Sequence, residues 1–546
     1  MKNTNTFSLS GNIVDLVAGK IIKGTVHIEG GIIKSIEKND SVSETQFILP
    51  GFIDSHIHIE SSMLVPSEFA RLAVVHGTVA TVSDPHEIGN VLGIDGIRYM
   101  INNGKKVPFK FYFGASSCVP ATPFETAGAE LGVKELDELL RMDEIKYMSE
   151  MMNFPGVIHR DPLVMEKLAV AKKYNKPIDG HAPGVKGEDA RKYIEAGITT
   201  DHECFTMEEA LEKINYGMKI QIREGSAAKN FEALVDLLEH HADNVLFCSD
   251  DKHPDDLVKG HINQLVVRAI KKGYDPMKVL RSAILNPIRH YGLEVGTLQQ
   301  NDPADMIVVD NLTDFNVKST FVNGQKVAEN GLSLIDAIET DQPNKFNAQK
   351  ITETEIRVQP KGGTIKVMKA FDGQLITAVD EVEAIIDNGN VVSSTENDVL
   401  KLVVVNRYEK AKPAVAFIRG FGLKSGAIAS SVAHDSHNIV AVGVSDTDIV
   451  RAINLVVEER GGVGVVDGEI SKVLPLPVAG LMSVNNGYLV AEKYHEIDML
   501  SHKMGSKLRA PFMTLSFMAL LVIPDLKLSD KGLFDGTTFS FSNLFV

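Results

Sequence analysis

Six residues of metal-ligand type recur in one half of the chain, each at the end of a strand-like run. They are His56 and His58 in Ile53-Asp54-Ser55-His56-Ile57-His58, Glu150 in Tyr147-Met148-Ser149-Glu150, His181 in Ile178-Asp179-Gly180-His181, His202 in Thr200-Asp201-His202, and Asp250 in Leu246-Phe247-Cys248-Ser249-Asp250. Two imidazoles one residue apart on a strand point to the same side, because strand side chains alternate, so His56 and His58 can hold one cation together. Imidazole and carboxylate without thiolate suit Zn, Mn or Fe(II). Glu150 can place one oxygen on each of two ions. A water between two such cations loses its proton near neutral pH and becomes a hydroxide nucleophile. Asp250 can take that proton and pass it to a leaving group. The pattern therefore predicts a hydrolytic site with two divalent metals.

Those residues need a frame. From residue 51 to about 290 the sequence repeats strand, loop, helix. Eight strand candidates end near His58, Ser83, Ala115, Met151, His181, His202, Gly225 and Asp250, with helical stretches such as Ser67 to His76, Val133 to Arg141, Pro162 to Tyr174 and Phe231 to His241 between them. That length and count predict a closed (β/α)8 barrel of the TIM type over 51–290, whose chemistry sits at the C-terminal ends of the strands. Residues 7–49 alternate apolar and polar with glycine punctuation, and Gly296 to about Leu334 returns to strands after a last helix, Pro276 to Tyr291. The expectation is one small β-sandwich domain, 1–50 with 291–345, into which the barrel is inserted. A polar stretch, Glu339 to Thr352, reads as a linker. Residues 355–546 form a further C-terminal α/β domain, with strands such as Lys401 to Val405 and Ile439 to Gly443.

Composition bounds the class. The 546 residues exceed one ordinary core and call for two or three domains. Hydrophobic content of 44% and charged content of 23% are those of a soluble globular protein. A net charge of −16 argues against nucleic acid as a partner. The start has no apolar core, which excludes a secretory signal there, and the longest apolar run, Phe512 to Pro524, is too short to span a bilayer. Three scattered cysteines fit a reducing compartment, so a cytoplasmic enzyme is expected.

Other motifs face the same mouth. Asp84-Pro85-His86-Glu87 follows the second strand; His86 can contact metal or substrate, and Asp84 can equally be a helix N-cap. Arg223-Glu224-Gly225-Ser226 follows the seventh; Glu224 and Ser226 can hydrogen-bond a heterocycle, or the segment is a charged surface turn. Asp251 reads as a loop residue behind Asp250. His434-Asp435-Ser436-His437-Asn438 can reach over the barrel, hold a separate cation, or form a turn. Gly461-Gly462-Val463-Gly464 lacks the Lys-Ser/Thr of a phosphate loop and reads as a turn.

Taken together, LPGFIDSHIHIESS (49–62), TVSDPHEIG (81–89), MSEMMNFPG (148–156), DGHAPG (179–184), TDHEC (200–204), REGS (223–226), FCSDDKH (247–253), Asn301 to Asp305 and AHDSHNI (433–439) resemble the bacterial-type adenine deaminases of the amidohydrolase superfamily over nearly the whole chain. HxH and the late Asp are shared superfamily-wide; Glu150 discriminates, since many relatives bridge with a carboxylated lysine. The resemblance implies adenine plus water giving hypoxanthine and ammonia, by hydroxide attack at C6 of the purine, in purine salvage. It implies two Mn2+ or Fe2+ ions, with Zn2+ allowed. His56 and His58 would bind one, His181 and His202 the other, Glu150 would bridge, and Asp250 would ligate and carry the proton. His86, Glu224 and Ser226 would contact the purine, and a homo-oligomer, a dimer, is expected. The rivals are another amidohydrolase, such as a guanine deaminase or cyclic amidase, and a non-catalytic barrel scaffold.

Overall fold

The computed structural model describes residues 6–546. Eight short parallel strands carry the middle of the chain: β5 (Phe52–Ile57), β6 (Thr78–Ser83), β7 (Lys110–Ala115), β8 (Ile145–Met151), β9 (Ile178–Gly180), β10 (Thr200–Asp201), β11 (Lys219–Arg223) and β12 (Val245–Cys248). β5 to β9 hydrogen-bond in sequence order, and so do β10 to β12. Thr199 N–H donates to Ile178 O at 2.8 Å, joining β9 to β10. Asp250 N–H donates to His56 O at 2.9 Å and His58 N–H to Asp250 O at 3.2 Å, which brings the end of β12 back to β5 and closes the barrel. β5, β6 and β12 are buried along their whole length, because helices cover the barrel outside and side chains fill it inside.

The expected strand ends fall within two residues of the observed ones, and the helices Val133–Arg141 and Pro162–Lys173 lie where helical spacing placed them. Asp161 caps the latter by accepting from Val164 N–H, with Pro162 at its first turn. Phe231 to His241 divides into Phe231–Leu234 and Leu237–His240, and Pro276 to Tyr291 contains a wider π turn at Arg281–Leu285.

The flanking strands β1 (Thr6–Asp15), β2 (Lys20–Glu29), β3 (Ile32–Lys38) and β4 (Phe47–Pro50) join β13 (Met306–Val309), β14 (Val317–Val322), β15 (Gln325–Glu329) and β16 (Leu332–Ser333) in one eight-stranded sheet, ordered β16-β15-β14-β13-β4-β1-β2-β3. The link is β4, antiparallel to β13 and parallel to β1. The chain enters the barrel through Gly51, where a Cβ would lie 2.3 Å from Val79 Cγ1; only glycine admits that approach.

Beyond residue 355 a second eight-stranded sheet runs in the order Thr377–Glu383, Thr364–Ala370, Ala414–Arg419, Leu400–Val405, Ile439–Gly443, Ala427–Ser430, Gly462–Asp467, Ile470–Pro475. The helix Asp446–Glu458, capped by Ser445, packs on it. The helix Gly487–Lys503 lies between the two regions, against strands Gly462–Asp467 and Ile470–Pro475 and against barrel helices Pro66–Ala73 and Pro254–Lys259. One continuous apolar core includes barrel residues such as Leu64 and Met152 and C-terminal residues such as Leu508 and Phe517. Among the described residues no helix is long and apolar enough to cross a membrane. The apolar run from 512 is instead the buried helix Pro511–Phe517 and the turn after it.

Candidate metal centre

All six strand-end residues converge, each 4% exposed or less. Glu150 is central. Its Oε2 lies 3.0 Å from His181 Nδ1, 3.2 Å from His202 Nε2 and 3.9 Å from His56 Nε2, while its Oε1 lies 3.6 Å from His58 Nε2. Asp250 Oδ1 is 3.4 Å from His58 Nε2 and 3.6 Å from His56 Nε2. Ligand atoms each about 2.1 Å from a shared ion stand roughly 3–3.5 Å apart, so these separations fit ions held between them.

Three further observations make the fit chemical. Both nitrogens of His56 are buried with no hydrogen-bond partner, including the Nε2 that faces Glu150 and Asp250, a costly condition for an imidazole that nothing ligates. His58 Nδ1 lies 3.3 Å from the Asp84 carbonyl; as its donor it leaves the Nε2 lone pair facing Glu150 and Asp250. The donors are imidazole and carboxylate without thiolate, because Cys118, Cys204 and Cys248 do not line the site.

The backbone aims Asp250 by an uncommon route. Its φ of 56° is left-handed, and the two hydrogen bonds to β5 hold that turn. Its Oδ2 accepts from Arg223 Nη1 at 2.6 Å. Arg223, at the end of β11, also forks onto both oxygens of Glu203. Burial pushes the Asp250 carboxyl up, but Arg223, then His56 and His58, outweigh it and hold it well below the usual carboxylate range. Burial likewise opposes ionisation of Glu150, and His181 and His202 override it. Glu203, opposed by burial and favoured chiefly by Arg223, is lowered to about 2. Sequence reasoning missed Arg223 and Glu203: REGS and TDHEC held them, yet a buried charge pair twenty residues apart has no spacing signature.

The cavity at this centre measures about 20 Å³, and the larger clefts of about 540 and 780 Å³ lie elsewhere, lined by none of the six residues. His86 lines the centre, with Nδ1 3.3 Å from Asp84 Oδ2 and 3.7 Å from Glu150 Oε1. Asp251 lines it too, through more than its backbone, and accepts from Ser61 Oγ at 2.5 Å. Glu224 and Ser226 do not. Glu224 pairs with Arg268 at 2.8 Å and Lys229 at 3.4 Å, and Ser226 donates to Asp256 at 2.7 Å while accepting from His253 N–H. The chain turns away after Arg223, so Glu224 and Ser226 are not among the residues lining this cavity. His434 and Asp435 reach the cavity from the C-terminal region; Gly462 to Gly464 is strand.

Residues 47–327 match the amidohydrolase family, and residues 374–540 match the adenine deaminase C-terminal domain. Proteins named adenine deaminase from Salinibacter ruber, Sulfurovum sp. and Methanosarcina mazei are 54%, 57% and 51% identical to the chain. The alignments cover 99%, 98% and 98% of this chain and 99%, 98% and 99% of theirs.

Proposed function

The chain belongs to the adenine deaminases of the amidohydrolase family, and from that premise we propose that it hydrolyses adenine to hypoxanthine and ammonia. The observation that carries the reading is Glu150, buried among four imidazoles, with His56, His181 and His202 at Oε2 and His58 at Oε1. His56 and His58 would hold one divalent ion, His181 and His202 a second, and Glu150 both. When bound, the ions supply Lewis acidity that turns water into a nucleophile at neutral pH. Arg223 occupies Asp250 Oδ2, which leaves Oδ1 toward the centre. That oxygen would receive the proton as water adds to C6 of the purine, and would return it to the departing amine. Manganese or iron as the ions, and assembly as a homo-oligomer, belong to the same proposal and rest on family membership.

The test is ammonia release by the purified chain from adenine, guanine, adenosine and a dihydropyrimidine, with the metal content measured alongside. Release from adenine alone, with two ions per chain, is expected. Turnover of guanine or of the dihydropyrimidine in its place would move the chain to another amidohydrolase activity, and a metal-free inert protein would make it a scaffold.

A further inference from the structure

The reacting groups all come from the barrel, yet the barrel does not complete the cavity. Leu375, His434, Asp435, Phe517 and Leu520 also line it, all from beyond residue 370. Proton transfer and metal binding have no use for Phe517 or the two leucines. A purine does: its faces are apolar and flat, and its edges carry ring nitrogens. Phe517 is the one phenylalanine, tyrosine or tryptophan among the described residues lining the cavity, and it is 2% exposed. Its ring lies 5.1 Å from that of His434, tilted by 30°.

His434 is fixed from behind. Its Nδ1 sits 2.5 Å from Glu87 Oε1, and His437 Nε2 contacts the other oxygen of the same carboxylate. His437 Nδ1 accepts from Ala433 N–H at 3.2 Å, which makes Nε2 the protonated nitrogen facing Glu87. Both oxygens of Glu87 thus lie against imidazoles of the C-terminal region. The free face of His434 is Nε2, whose nearest carboxylate, Asp251, is 3.9 Å away, beyond hydrogen-bond reach. The apolar part is tied as well: fully buried Lys527 Nζ donates to Leu375 O at 2.6 Å and Phe517 O at 3.0 Å, joining two segments of the wall.

We propose that the C-terminal region is the purine-selecting half of the active site, with Phe517 stacking on the ring system and His434 Nε2 meeting a polar ring edge. This rests on the adenine deaminase reading and assigns its substrate recognition. A cavity of about 20 Å³ has room for about one water. Its floor stands on the strands of a closed barrel, whereas Phe517 ends a helix and Leu375 and His434 lie outside helices and strands. The wall is therefore the side that yields to a bicyclic ligand, and Lys527 makes its two apolar segments move together.

Phe517→Leu and His434→Gln in the full-length enzyme test this. Each should raise KM for adenine and the inhibition constant of hypoxanthine by about tenfold, the order of a base stacked on a ring for Phe517 and of a buried hydrogen bond for His434. Metal content should be unchanged, and kcat within about threefold. Phe517→Tyr keeps the ring and should restore KM, which guards against a Leu variant that merely folds badly. Unchanged KM and inhibition constants in both variants, or a fall in kcat with KM intact, would overturn the inference while leaving the deaminase reading standing. A wild-type enzyme that releases no ammonia from adenine would instead sink the reading beneath it.

Discussion

Asp250 offers its two oxygens to opposite neighbours, and the difference between them sets the strongest residue-level expectations. Oδ2 is held by Arg223, which is 1% exposed and also grips Glu203. Arg223→Met would leave two buried carboxylates without their cation, and breaking a buried pair this way costs about 3–5 kcal/mol. The loss should appear as a lowered urea midpoint; an unchanged midpoint would mean water replaces the guanidinium. Lysine should not rescue, because one ammonium cannot fork onto Glu203 and reach Asp250. Asp250→Asn should keep much of the metal and lose turnover by about 10²–10⁴-fold, the range of a positioned acid–base group. Near-normal activity would take Asp250 out of proton transfer. Glu150→Gln should lose the paired ions, because the carboxylate between them loses its charge; two ions per chain in that variant would contradict the bridging role. The convergence of these six residues was legible because each ends a strand-like run, a signal that survives without contacts. Arg223 was not, since nothing in its own segment marks an arginine as buried.

At the scale of elements, the loop after β7 shows how the barrel meets the region beyond residue 355. Thr126 N–H donates to Asp530 Oδ1 at 2.9 Å, and Asn438 Nδ2 to Thr126 O at 2.9 Å. Inside this junction lies Glu125, whose carboxyl is raised to about 8 by burial and then by the nearby Asp435. A carboxyl whose folded value lies above its ordinary 4.5 binds its proton more tightly when folded. Its stabilisation is complete below about pH 4.5 and is lost as pH rises through about 8. Glu125→Gln, neutral at every pH, should therefore gain in melting temperature relative to wild type between pH 5 and pH 8. A difference that stays flat across that window would show that Glu125 is not strained by its neighbours. Strand and helix placement in the barrel was readable because period and apolar runs are local. The junction was not, because its barrel side at Thr126 lies 312 residues from Asn438 and 404 from Asp530, and each looks like an ordinary surface polar group. Phe512 to Pro524 likewise looked only like an apolar run, and its meaning, a wall beside the metal centre, depends on a chain reversal no window contains.

For the whole molecule, the question is whether two regions that share one cavity are also one mechanical body. The helix Gly487–Lys503 is the clamp. Met63 O and Val65 N–H exchange hydrogen bonds with Ser483, Gly487 N–H donates to Glu68 Oε2 at 3.1 Å, and Tyr494 Oη meets His253 Nδ1 at 2.6 Å. Gly487 is needed at this contact because a Cβ there would lie 2.5 Å from Leu72 Cδ1 and 3.2 Å from Leu64 Cδ1. Gly487→Val forces those leucines to give way, an overpacking that typically costs about 1–3 kcal/mol. The reacting groups stand at the ends of barrel strands, while the C-terminal wall stands on the elements this helix clamps. If the wall selects the purine, loosening the clamp should raise KM for adenine before it lowers kcat, and the metal content should hold. The comparison of KM, kcat and melting temperature in Gly487→Val, with Gly487→Ala as the milder step, decides it. A fall in kcat at constant KM would mean that the clamp supports the metal-bearing strands directly, and that selection and reaction are not divided between the two regions.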